Sequence, residues 1–190
     1  MRHALLLLMM LAAIPLLHGC APLVVGGAAA GGAMVATDRR TVGTLTEDEG
    51  IELKASSRIG ERYKDGMHVN VTSYNRTVLL TGEVPDAAAR AEVERIARGV
   101  ENVRGVYNET VVSGVTSYTA RSNDAITTSK VKGRFLDANK FNALHVKVIT
   151  ENNIVYLMGL VSRKEAADAT EIARTTSGVQ KVVRVFEYLD

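Results

Sequence analysis

Few residues of this chain combine a reactive type with a spacing that could do chemistry. The first is Cys20, the single cysteine among 190 residues. One thiol cannot close an internal disulfide, and a closed zinc site wants about four ligands. His68 and His145 recur in matching contexts, as His-Val-Asn-Val and His-Val-Lys-Val, which points to a structural role. Neither has a second ligand at metal spacing. There is no nucleophile elbow, no phosphate loop and no recognisable pair of catalytic carboxylates. Gly82 and Gly159 are read as strand ends and Gly99 and Gly178 as helix ends, so none builds a nucleotide fingerprint. No catalytic residue, metal ligand or cofactor is therefore expected, and the chain is not read as an enzyme. It also lacks the basic cluster interleaved with aromatics that nucleic-acid binding uses.

What Cys20 does is suggested by what precedes it. Met1, Arg2 and His3 form a basic start, Ala4 to Leu17 carry no charge, and the small Gly19 sits directly before the cysteine. That is the layout of a signal peptide over 1–19, and its apolar run is shorter than the roughly 20 residues a bilayer span needs. Leu17-His18-Gly19-Cys20 resembles the bacterial lipobox. The resemblance implies that Cys20 becomes a lipidated N-terminus, and Ala21, where an inner-membrane retention signal would be Asp, implies the outer membrane. The alternative is a plain secretory signal cut near Gly19, leaving a free thiol.

From Ala21 to Thr46 the sequence APLVVGGAAAGGAMVATDRRTVGTLT is too rich in Gly and Ala to bury a core. Residues 20–46 are read as a flexible tether spanning roughly 30 Å; a Gly-zipper membrane helix is the competing reading. Beyond it the charge is uneven. Residues 47–114 hold nine Lys and Arg against twelve Asp and Glu, whereas residues 123–190 hold ten against eight. Only the second half suits an anionic surface.

The sequence then repeats. HVNVTSYNRTVLLTGEV at 68–84 aligns without a gap to HVKVITENNIVYLMGLV at 145–161, and Ile96-Ala97-Arg98 faces Ile172-Ala173-Arg174. A unit of about 70 residues present twice means tandem small domains, placed at 47–114 and 124–190 around a connector at 115–123. Alternating Val69 and Val71, and Val146 and Val148, predict half-buried first strands. Asn75 and Asn152 suit tight hairpin turns, and second strands follow at 78–84 and 155–161. Helices are expected to start at Asp86 and at Ser162, where Ser162 and Glu165 form a capping box. They are expected to end near Asn102 and Gly178, with last strands over 103–112 and 179–189. An amphipathic helix precedes each first strand, at roughly 49–63 and 124–136. The fold class is α+β, each copy running α-β-β-α-β with its helices on a three-stranded mixed sheet.

The pattern V.V...N..V.L.G.V followed by A..IA....GV..V resembles the BON domain, twice, over residues 47–190. Lipobox, tether and two copies together are similar to the dual-BON outer-membrane lipoproteins of Gram-negative bacteria. That resemblance implies support of envelope integrity, a place at the division site, and contact between anionic phospholipid and the first helix of the second copy. On this chain that helix offers Ile126, Thr127, Ser129, Lys130, Gly133 and Arg134. The related lipoprotein that this chain resembles carries tryptophan where this chain has Ile126, which lacks the ring's polar edge.

The helix can also be read from its own residues. At 100° per residue, Thr128, Val131 and Phe135 form a stripe for the core, and Ile126 falls opposite with Lys130, Gly133, Arg134 and Asp137 around it. An outward Ile followed by cations is what an interfacial helix presents to a bilayer. The bland alternative packs Ile126 under the connector or against the first copy. The competing function is a protein-binding adaptor for envelope or division proteins, its first copy docking through Glu47, Asp48, Glu49 and Glu52 on a partner or on the second copy.

Overall fold

The computed structural model describes residues 38–63 and 66–190. The expected signal peptide, Cys20 and the tether as far as residue 37 lie outside the described residues. The elements run α1 (Val42–Arg62), β1 (His68–Tyr74), β2 (Thr77–Val84), α2 (Ala87–Arg98), β3 (Gly105–Asn108) and β4 (Val111–Val112) in the first copy. The second has α3 (Tyr118–Ala138), a 3-10 turn (Ala143–His145), β5 (Val146–Glu151), β6 (Ile154–Val161), α4 (Arg163–Arg174) and β7 (Lys181–Tyr188). In each copy the second strand is central, antiparallel to the first and parallel to the last. The fold is α+β with mixed sheets, as the repeat pattern predicted.

Four local expectations differ from the structure. Helix α1 starts at Val42 and α3 at Tyr118, each six or seven residues early, because Thr41 and Ser117 cap them by accepting from Thr44 N and Ala120 N. The last strand of copy one is split, with β3 and β4 both on β2 and Glu109 donating to Leu80 O at 2.9 Å between them. Helices α2 and α4 end at Arg98 and Arg174, short of the left-handed Asn102 and Gly178, which turn the chain back toward the sheet. Gly82 and Gly159 lie within strands and not at their ends.

The hairpin turns explain much of each fold. Asn75 and Arg76 have φ of 49° and 66°, and Asn152 and Asn153 have 51° and 61°. Two successive positive φ values make the type I′ turn that matches strand twist. Such a turn leaves its own N–H groups facing outward, and here a helix covers them. Asp48 of α1 accepts from Asn75 N at 2.8 Å, Arg76 N at 2.7 Å and Ser73 Oγ at 2.7 Å. Asp124 of α3 accepts from Asn152 N and Asn153 N, both at 2.9 Å. Buried donors must be satisfied, so one carboxylate per copy fixes helix to hairpin.

The copies pack sheet against sheet. Val78, Leu80 and Val84 of β2 join α1 and α2 in one core, and Val155, Leu157 and Val161 of β6 join α3 and α4 in another. A third cluster spans the copies, bringing Tyr74 and Leu79 onto Tyr156, Met158, Leu160 and Val185. Asn152 Nδ2 reaches Glu83 Oε1 at 2.7 Å, Asn70 Nδ2 reaches Glu151 Oε2 at 2.8 Å, and Lys147 Nζ reaches Glu52 Oε1 at 2.8 Å. The order of layers is helices, sheet, sheet, helices.

Candidate membrane-facing site

Helix α3 is held by its inner face. Val131 and Phe135 are fully buried, Phe135 meets Phe141 edge-on at 5.1 Å, and Thr128 Oγ1 bonds Thr150 Oγ1 at 2.7 Å. With that stripe fixed, the opposite face is free. Ile126 is 53% exposed, and Ser129 and Lys130 are exposed beside it. Gly133 has open space where a Cβ would be, so the helix surface is flat there. The flank of α3 that turns toward the 3-10 turn carries Leu136, 68% exposed, and the exposed cation Lys132. Neither Lys130 nor Lys132 forms an ion pair among the described residues.

Two of the expected site residues do other work. Thr127 is only 4% exposed, and its Oγ1 lies 2.9 Å from where a Cβ on Gly178 would sit. It therefore packs the helix onto the α4–β7 turn and offers nothing to a ligand. Arg134 Nη1 donates to Ile172 O at 2.9 Å and Thr176 Oγ1 at 2.8 Å. It caps the C-terminus of α4, where a cation is favoured by the helix dipole. Cys20 lies outside the described residues. Sequence reading missed Leu136, although the same 100° stepping puts it on the flank, about 80° round the helix and about 15 Å along it from Ile126.

Beyond Leu136 the apolar surface turns a corner. Leu136, Ala143, Leu144 and Val146 line a groove of about 330 Å³ with Arg40, Lys132 and Lys147 at its rim. Leu144, 47% exposed, stands on the 3-10 turn, so the outward leucines come from two elements. The acidic cluster of the first copy is largely spent inside the molecule. Asp48 is buried on the hairpin, Glu47 pairs with Arg76, and Glu52 holds Ser73 N and Lys147. Glu47 and Asp48 thus tie α1 to its own hairpin, Glu52 alone reaches the second copy, and Glu49 is left as the exposed member.

A second cavity, about 400 Å³, opens between the copies and is lined by His68, Asn70, Arg121, Asp124 and Glu151 among others. Burial is the main cause that lifts the Glu151 carboxyl above its ordinary range; Glu83 and Asp124 lift it further, while the Asn70 hydrogen bond and His68 oppose them. A carboxyl with a raised folded value favours the folded protein when protonated, and that contribution is lost as pH rises through the raised value. Glu151→Gln keeps an acceptor for Asn70 and removes the charge. Its urea midpoint is expected to exceed wild type at about pH 8, with the gap shrinking toward about pH 5. A gap independent of pH would show that the Glu151 charge is not what strains the interface. Among the described residues no group of three or more His, Cys, Asp or Glu side chains could hold a metal, and no helix is long and apolar enough to cross a membrane.

Comparison with known proteins decides the family. A profile of the BON domain matches residues 47–114 and 123–190. The chain belongs to the BON domain family. It is 41% identical over 186 residues to the outer membrane lipoprotein DolP of Haemophilus influenzae, covering 97% of this chain and 96% of that one. It is 34% identical over 154 residues to a 21 kDa hemolysin of Actinobacillus pleuropneumoniae, covering 80% and 79% of the two chains. Similarity to the osmotically-inducible protein Y of Escherichia coli is 28% over 155 residues, covering 80% and 77%. The second BON match takes in most of α3 with both Ile126 and Leu136, so the outward face is part of a BON domain and not of a linker.

Proposed function

We propose that this chain is a lipoprotein of the outer membrane, acylated at Cys20, whose second BON domain lays the outer face of α3 on anionic phospholipid. It is read as a non-catalytic binding protein that supports envelope integrity, including at the division site. The observation that carries this reading is the exposed surface of α3, with Ile126 and Lys130 opposite the core and Leu136 and Lys132 on the adjoining flank, neither lysine ion-paired among the described residues. The apolar side chains enter the acyl boundary while the ammonium groups meet headgroups. Each cation near an anionic surface contributes about 1 kcal/mol, so the face binds weakly alone. Attachment of the same molecule by acyl chains raises the local concentration enough to make weak binding sufficient. The likeness to an outer membrane lipoprotein over nearly the whole chain supports the anchor and its location.

The test is co-sedimentation of residues 38–190, which contain all three hydrophobic clusters, with phosphatidylglycerol vesicles. Ile126→Glu and Lys130→Glu are each expected to weaken binding by about fivefold or more. Thr127→Ser is expected to leave it unchanged. If both glutamate variants bind as wild type does, α3 is not the contact, and the protein-binding adaptor becomes the better account.

A further inference from the structure

Upstream of α1, the chain does not simply trail away from the first domain. Arg39 crosses to the second domain, where Nη1 and Nη2 fork onto Glu165 Oε2 at 2.7 Å and Oε1 at 2.9 Å, and Nη1 also donates to Leu160 O at 2.8 Å. Arg40 stays with the first. Its Nη1 meets Asp48 Oδ2 at 2.9 Å, its guanidinium lies 3.8 Å over the Tyr74 ring, and Asp38 folds back onto its N, Nε and Nη2. Adjacent residues thus grip opposite domains. The grips join features already fixed for other reasons: Glu165 completes the capping box of α4, and Asp48 clamps the first hairpin.

We propose that Arg39 and Arg40 are positioning residues, a staple that roots the N-terminal lead against both domains and sets which side of the molecule faces the surface to which Cys20 is attached. The proposal rests on the membrane reading above. Arg40 shares the groove with Lys132, Leu136 and Leu144, so the root lies beside that flank of α3. The domain pair has four layers at about 10 Å each, so the side on which Arg39 and Arg40 are held decides which face of the pair lies nearer the acylated end.

Electrostatics agrees with the geometry. Hydrogen bonding from Arg39, more than any other cause, holds the Glu165 carboxyl down to about 2. A carboxylate with a depressed value contributes above its ordinary value and loses that contribution as pH falls through the depressed one. The fork is therefore closed at neutral pH.

The experiment uses the full chain, acylated at Cys20 and reconstituted in phosphatidylglycerol-containing vesicles, with two readouts. Trypsin cleavage at the Arg40–Thr41 bond is followed by mass, and a bimane on Ser129→Cys is followed by quenching with spin-labelled lipid. Arg39→Ala is expected to speed cleavage by about tenfold, since local opening sets the rate, and to reduce quenching to about half. Glu165→Gln keeps both arginines and a capping side chain, and is expected to shift both readouts in the same direction. Equal cleavage in all three proteins overturns the staple. Faster cleavage with unchanged quenching overturns its positioning role. Absent quenching in the parent protein overturns the membrane reading instead, whatever the cleavage rates.

Discussion

Asp48→Ala is expected to lower the stability of residues 38–190 by about 3–5 kcal/mol, a large share of the roughly 5–15 kcal/mol available to an ordinary domain. The carboxylate is 3% exposed and accepts from Ser73 Oγ, Asn75 N, Arg76 N and Arg40 Nη1. Truncation leaves two backbone N–H groups and a hydroxyl under a helix without an acceptor, each costing about 1–3 kcal/mol. It also strips the staple arginine of one partner. The equivalent Asp124 accepts from Asn152 N and Asn153 N, so Asp124→Ala is expected to cost less, about 2–3 kcal/mol. Urea unfolding separates the cases, with the midpoint falling more for Asp48 and the slope unchanged if the transition stays two-state. Equal, small losses at the two positions would mean water reaches the turn N–H groups and the carboxylates are ornamental.

The second large effect concerns Gly82 and Gly159. A Cβ on Gly82 would lie 2.1 Å from His68 O, and one on Gly159 would lie 2.4 Å from His145 O. Both obstacles are backbone, which cannot swing aside as a side chain can. Gly82 also has φ of 106°, a conformation that L residues rarely adopt. Gly82→Ala is therefore expected to cost about 3–5 kcal/mol, combining overpacking with backbone strain, and Gly159→Ala about 1–3 kcal/mol from overpacking. Thermal unfolding reads the difference as two unequal drops in midpoint. If Gly159→Ala proves the worse, strain at Gly82 is not the deciding term. The close approach also accounts for the recurrence of glycine at 82 and 159, which the sequence displayed without its reason.

How much the sequence revealed depends on how local each cause is. The hairpins were legible because Asn75 and Asn152 favour the turn by their own conformational preference. The capping box was legible because Ser162 and Glu165 are three residues apart. Inward Val131 and Phe135, and outward Ile126, followed from helical period alone. The starts of α1 and α3 were not, because Thr-Val-Gly-Thr and Tyr-Thr-Ala-Arg carry weak helical signals and their caps act only once the helix packs. Asp48 read as one of an outward acidic group, because a helix starting at 49 leaves it outside, whereas the observed helix from Val42 turns it toward the hairpin. Its partners Asn75 and Arg76 are far along the chain. Likewise the fork from Arg39 to Glu165 joins residues 126 apart, and no pattern of spacing announces it. Docking of the copies did leave a trace. VYLMGLV does not alternate, and a strand apolar on both faces has both faces covered.

That last trait carries a lesson about descent. Leu79 on one repeat and Tyr156 and Met158 on the other are fully dry, yet neither repeat's helices shield them. Each half is an unfinished object whose missing lid is the other half. Duplication here did not set two independent modules on a string; it closed a single body, and the smallest portion of the chain suited to life in water is the couple.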